Sequence, residues 1–296
     1  MTGRLVGVGV GPGDPELVTV RALRVFREAD EIFVPVAESG EVGRAESVVR
    51  AYADPARIRR LPFALSDDTA AREANWDRAG AEVAGVVAGG GVAAFATIGD
   101  PSVYSTFTYL AATVRDLVGE VEVETVPGIT AMQDLAARAG VSLVEGGERL
   151  ALLPLAAGPE RAASALASYD TVVCYKGGRH LPELLDVLRA AGRLDRAVYG
   201  ARLGLAGETI RPAADLPAEP GPYLSTLIAL PERRRRRSGG SGGLKERSGS
   251  PPGIGGSGGL EERSGSPPGD GGSGGLEERS GSPPEDGGSG ENRRRR

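Results

Sequence analysis

The 296-residue sequence holds a single cysteine, Cys174, and a single histidine, His180. One thiol forms no intrachain disulfide, and one Cys with one His cannot supply a Cys/His zinc site. Cys174 lies in an apolar run and reads as a small buried core residue. His180 follows Arg179 where a helix begins, which suits a surface or capping role better than that of a catalytic base. Lysine is almost as scarce. Residues 1–232 carry 21 arginines and one lysine, Lys176, against 31 acids, a net charge of −9. That balance argues against a general nucleic-acid surface. No run approaches the roughly 18 apolar residues of a membrane span. The start, MTGRLVGVGVGPGD, lacks the basic region and apolar core of a signal peptide, so the expected location is the cytoplasm.

Composition changes sharply near residue 233. Residues 238–296 are almost entirely Gly, Ser, Pro, Glu and Arg. They repeat with a 16-residue period: GSGGLKERSGSPPGIG (240–255), GSGGLEERSGSPPGDG (256–271) and GSGGLEERSGSPPEDG (272–287). One leucine per repeat cannot build the stacked core of a solenoid, so 233–296 is expected to be a disordered, low-complexity tail. The arginine runs 233–237 and 293–296 read as solvated punctuation rather than a nucleic-acid arm.

What remains alternates between strand-like and helix-like segments. Aliphatic runs at 5–10, 31–34, 92–97 and 121–126 predict buried strands. Asp14-Pro15-Glu16 has the cap, proline and acid that open a helix. Helices are also expected over 68–88, 102–117 and 130–139. The pattern restarts with strands at 149–154 and 171–175 and helices near 159–168 and 181–191. It ends in strand-like segments at 197–203, 208–211 and 223–230. The expectation is a two-domain α/β fold. Residues 1–147 would form a mostly parallel sheet and 148–232 a mixed one.

Three glycine- or proline-bearing loops close strands of the first half. Gly7-Val-Gly9-Val-Gly11-Pro12-Gly13-Asp14 follows strand 1, but the spacing of the dinucleotide fingerprint fails, with Pro12 or Asp14 where glycine is required. No phosphate-binding Walker sequence exists. Thr97-Ile98-Gly99-Asp100-Pro101-Ser102-Val103-Tyr104-Ser105-Thr106 sits where ligands of open α/β sheets gather. Asp100 there could hold a ribose hydroxyl or an amino group, or simply cap a helix. Val126-Pro127-Gly128-Ile129-Thr130-Ala131 is the third, with Thr130 as a helix cap or as a ligand contact.

In this order and spacing, GPGD, GDPSVYST and VPGITA resemble the tetrapyrrole (corrin/porphyrin) methylase family over residues 3–231. The resemblance implies two α/β domains with S-adenosylmethionine in the cleft and no protein-bound metal. It implies cofactor contacts from Pro12, Gly99, Asp100, Val103, Tyr104, Thr130, Ala131, Tyr175 and Arg202. The stretches 127–154, 169–188 and 223–231 and the Tyr104-Ser105-Thr106 ending resemble the branch that methylates precorrin-2, or its cobalt-containing counterpart cobalt-factor II, at C20. Such a substrate is a polycarboxylate, so arginines should gather locally in this acidic body, with Arg44, Arg138 and Arg179 as candidates. The family also implies a homodimer. A competing reading is a cofactor-binding regulatory module recruited to nucleic acid by its basic tail. Sequence alone names no base for the C20 proton.

Overall fold

A computed structural model describes residues 2–36, 42–63, 69–155 and 158–233. The repeats lie outside the described residues, as do the arginine runs apart from Arg233. Two five-stranded sheets organise the chain. The first contains β1 (Arg4–Gly9), β2 (Glu31–Val36), β3 (Ile58–Pro62), β4 (Val92–Thr97) and β5 (Glu122–Val126), in the order β3-β2-β4-β1-β5. All its pairings are parallel.

Period-two alternation explains why this sheet is covered on both faces. Val6, Val8, Ile32, Val34, Ala94 and Ala96 pack on one face with α1 (Val20–Glu28) and α2 (Arg44–Val49). Leu5, Phe33, Ala93 and Phe95 pack on the other with α3 (Thr69–Ala88) and α4 (Phe107–Val118). Among the described residues no helix is long and apolar enough to cross a membrane.

The second sheet runs β6-β7-β10-β8-β9. Its strands are β6 (Leu150–Pro154), β7 (Thr171–Tyr175), β8 (Ala197–Ala201), β9 (Thr209–Pro212) and β10 (Ser225–Ala229). Only β6 and β7 pair in parallel, so the sheet is mixed as expected. One face carries α6 (Glu160–Ser168) and α7 (Leu181–Ala190), with the Cys174 thiol buried beneath them. Burial pushes that thiol up to about 12, which makes it inert. The other face meets Leu135 and Ala136 of α5 (Ala131–Ala139), so this helix leaves a strand of the first sheet to pack on the second.

Several local expectations need correction. Asp14 caps only a 3-10 turn, Pro15–Leu17, and α1 starts later, at Val20, behind a Thr19 Oγ1 that accepts the Ala22 N–H at 3.2 Å. The helix expected from Ser102 begins at Phe107, because Tyr104 adopts φ +49° and cannot continue a right-handed turn. α2 and β3 escaped the sequence reading. The first is only six residues long, and the second reads Ile-Arg-Arg-Leu-Pro at a sheet edge with both arginines exposed. Arg233, expected to be solvated, instead donates to the Glu148 carboxylate and to the Ser142 and Leu143 carbonyls.

Glu46 on α2 is only 1% exposed. It accepts from Arg50 and Arg60 at 2.9 Å each and from the Gly43 N–H at 3.3 Å. Burial alone would raise its pKa, but those hydrogen bonds outweigh it and hold the carboxyl below its usual range. A depressed carboxylate stabilises the fold above its unfolded value of about 4.5. That stabilisation disappears as the pH falls through the folded value. Glu46→Gln is therefore expected to cost about 1–3 kcal/mol at pH 7, measured by urea unfolding. The gap from wild type should close progressively below pH ~4.5; a gap independent of pH would contradict the charged network.

Candidate functional site

A cavity of about 520 Å³ opens where both sheets present strand ends to one another. From the first sheet come the loop after β1 (Pro12), the end of β2 (Pro35, Val36) and the loop after β4 (Thr97–Asp100). From the second come the end of β7 (Tyr175, Lys176), the segment after β8 (Arg202, Leu203, Leu205) and the start of β10 (Ser225, Thr226).

Backbone contacts fix the loops of the first sheet. A Cβ on Gly9 would meet the Gly128 N and the Gly99 O at 2.6 Å, and one on Gly128 would meet the Gly99 O at 2.1 Å. Only glycine lets the three loops converge this closely. The Gly99 N–H donates to the Gly11 carbonyl at 2.7 Å. Asp100 completes the seam: Oδ1 accepts the Ser102 N–H at 2.7 Å and Oδ2 the Gly128 N–H at 3.0 Å. A second seam joins the sheets. A Cβ on Gly13 would meet the Leu203 O at 2.2 Å, and one on Gly204 the Asp14 N at 2.2 Å.

Among the described residues, Tyr104, Lys176 and Arg202 are the non-glycine residues with left-handed backbones, at φ +49°, +58° and +53°. All three line the cavity. Left-handed backbone in residues of this kind costs about 1–3 kcal/mol each and marks functional sites. Contacts hold each one in place. The Tyr104 hydroxyl donates to the Leu152 carbonyl at 3.0 Å, and its ring meets that of Tyr175 edge-on at 6.1 Å. Lys176 Nζ donates to the Tyr104 carbonyl at 3.2 Å. The Lys176 and Arg202 N–H groups donate to Ser225 and Leu224, on either side of the turn into β10.

The nine residues expected to contact a cofactor, Pro12, Gly99, Asp100, Val103, Tyr104, Thr130, Ala131, Tyr175 and Arg202, all line this one cavity. Thr130 is the N-cap of α5, where its N–H and Oγ1 both donate to Gln133 Oε1 at 2.9 and 2.8 Å. Tyr175 Oη accepts the Met132 N–H at 2.9 Å. Of the three candidate arginines only Arg44 lines the cavity. Arg138 is held by Glu208, which also accepts the Gly204 N–H at 2.7 Å, so it braces the loop behind the site. Arg179 is exposed in a 3-10 turn beside α7.

Lys176 is the charged residue of the described lining that sequence reasoning passed over, although its isolation among arginines was a legible signal. Burial pulls its pKa below the usual lysine value. Burial and then the charge of Arg202 do the same to Arg44. Among the described lining residues stand three cations, Arg44, Lys176 and Arg202, and one carboxylate, Asp100, both of whose oxygens are engaged. The surroundings also suit an adenosyl cofactor. Gly99 lines the cavity at φ +72°, and a Cβ there would meet no protein atom within 4 Å, so open space lies beside it.

Asp100→Asn leaves one acceptor oxygen for two N–H donors, an expected loss of about 1 kcal/mol. Gly128→Ala should cost about 1–3 kcal/mol or more, because its Cβ meets backbone that cannot rotate away. Urea midpoints check both; an alanine variant as stable as wild type would contradict the glycine seam.

The sequence profile of the tetrapyrrole (corrin/porphyrin) methylases matches residues 4–217. A precorrin-2 C(20)-methyltransferase of Sinorhizobium sp is 36% identical over 236 residues, covering 76% of this chain and 94% of the relative. A cobalt-precorrin-2 C(20)-methyltransferase of Salmonella typhimurium is 32% identical over 232 residues, covering 77% and 96%. The crystal structure of uroporphyrin-III C-methyl transferase from Thermus thermophilus, complexed with S-adenyl homocysteine, shares the fold. It superposes with a TM-score of 0.52 at 23% identity, covering 77% of this chain and 97% of its own length.

Proposed function

The chain belongs to the tetrapyrrole (corrin/porphyrin) methylase family, and from that premise we propose that it methylates C20 of precorrin-2 to give precorrin-3A in cobalamin biosynthesis. It is an S-adenosylmethionine-dependent methyltransferase. The observation that carries the substrate class is the charge of the cavity. A body of net charge −9 lines it with two arginines, a lysine and a single engaged carboxylate. That arrangement suits a polycarboxylate, which gains little from an acidic surface elsewhere.

In this reading Pro12, Gly99, Asp100, Val103, Tyr104, Thr130, Ala131, Tyr175 and Arg202 hold the cofactor, and Arg44 receives a substrate carboxylate. The cofactor, when bound, supplies an activated methyl group. The macrocycle's own electron-rich carbon is the nucleophile, so the chain needs none. Its residues position the two reactants and exclude water, which supplies effective molarity. The left-handed backbones of Tyr104, Lys176 and Arg202 fix the walls against which both must fit. The halves 1–147 and 148–232 act as the two sides of the clasp, and 233–296 is an appended segment without catalytic role. A cytoplasmic homodimer completes the proposal.

The relatives act on metal-free and on cobalt-containing substrates, by their names, so cobalt-factor II is the second candidate. An anaerobic assay with S-adenosylmethionine and each form, read by mass and labelled-methyl NMR, decides between them. One added methyl at C20 is the expected outcome. No methylation of either form, with cofactor binding intact, would send the activity to another corrin carbon.

A further inference from the structure

Building on the C20 reading, we propose that Lys176 accepts the proton that leaves C20 after methyl transfer. Once the methyl group has joined C20, the macrocycle carries a positive charge and C20 still holds its hydrogen. The C20–H electron pair must return to the ring while the proton goes to a base. Lys176 in its unprotonated form takes it, becomes an ammonium and later releases it to solvent, and the macrocycle loses the charge it had gained.

The choice follows from the chemistry of the groups that line the cavity. Asp100 faces it from the loop after β4, but each of its oxygens already accepts a backbone N–H. Arg44 on α2 and Arg202 after β8 cannot give up a proton near neutrality. The phenols of Tyr104, Tyr175 and Tyr223 are pushed up by burial, away from the phenolate that a base would require. The remaining polar side chains are hydroxyls. Lys176 is thus the one amine in the described lining.

Its placement is built rather than incidental. The backbone is left-handed, its N–H is fixed to Ser225 at 3.1 Å, and Nζ lies 3.2 Å from the Tyr104 carbonyl and 5.9 Å from that ring's centroid. The amine is half-buried, and desolvation favours its neutral form. Composition points the same way. In residues 1–232 arginine serves at 21 positions and lysine at one, and that one lines the cavity. A carboxylate anchor would be served as well or better by arginine, whereas a group that must lose and regain a proton cannot be arginine.

The test compares full-length wild type with K176R and K176M. Calorimetry should show S-adenosylmethionine binding within about threefold of wild type for both, and thermal melting checks the fold. With the substrate form that wild type accepts, kcat should fall about 100-fold or more in both variants, with KM little changed. Deuterium at C20 should then slow the variants but not wild type. Wild-type kcat should rise with pH through an apparent pKa below 10.5, and this rise should vanish in K176R. The chain holds only two lysines, Lys176 and Lys245. NMR of the ¹³C-dimethylated protein should show one titrating below the ordinary range and missing from K176R. A K176R enzyme with wild-type kcat would overturn the proposal in favour of a fixed-charge anchor, as would two lysines titrating normally. A wild type inactive on both substrate forms would instead overturn the C20 reading itself, and the proton acceptor with it.

Discussion

The site depends first on backbone meeting backbone. Gly9 and Gly128 let three loops of the first sheet come so close that a Cβ on either would strike the Gly99 carbonyl oxygen. Gly13 and Gly204 repeat the device across the two sheets. Such contact is possible only where side chains are missing, and it leaves N–H groups that need acceptors. The Asp100 carboxylate meets that need for Ser102 and Gly128 at once. Its capping role and its place on the cavity wall are therefore one arrangement. The carboxylate that lines the cavity is rigid because the backbone around it has used it.

Rigidity at the seams makes the strain nearby affordable. Tyr104, Lys176 and Arg202 each occupy a backbone region that costs energy, and each is tied to the backbone of another element. Tyr104 reaches Leu152 in β6, Lys176 reaches both Tyr104 and Ser225, and Arg202 donates to Leu224. The tie from Lys176 to Tyr104 crosses between the sheets. Arg138 works behind this wall, holding Glu208, which in turn holds Gly204 against Asp14. An arginine on the last turn of α5 thus shapes the loop that carries Arg202 without lining the cavity.

Much of this was legible from periodicity and punctuation. Strands such as Val92–Thr97 and Thr171–Tyr175 were bounded by polar or glycine breaks, and their apolar runs could be read directly. The three loops that wall the cavity announced themselves by glycine and proline at strand ends. What stayed hidden depended on tertiary context. β3 is an edge strand whose two adjacent exposed arginines mask its alternation, and α2 is too short to show a period. No local signal told that Tyr104 would turn left-handed and delay α4 to Phe107. Arg138 and Arg44 look alike in sequence, and only packing gives one to Glu208 and the other to the cavity.

Charge supplies the remaining logic. Carboxylate repulsion across an acidic surface would disfavour a polyanionic ligand everywhere except where cations are concentrated and partly desolvated. Burial, and after it the charge of Arg202, pulls the Arg44 pKa below its usual value, so both arginines belong to one electropositive wall. Lys176 stands in the same wall but can escape its charge by losing a proton, which neither arginine can do. The cavity thus combines two fixed cations with one adjustable cation, a division of labour that fits a substrate held by its carboxylates and altered at a carbon.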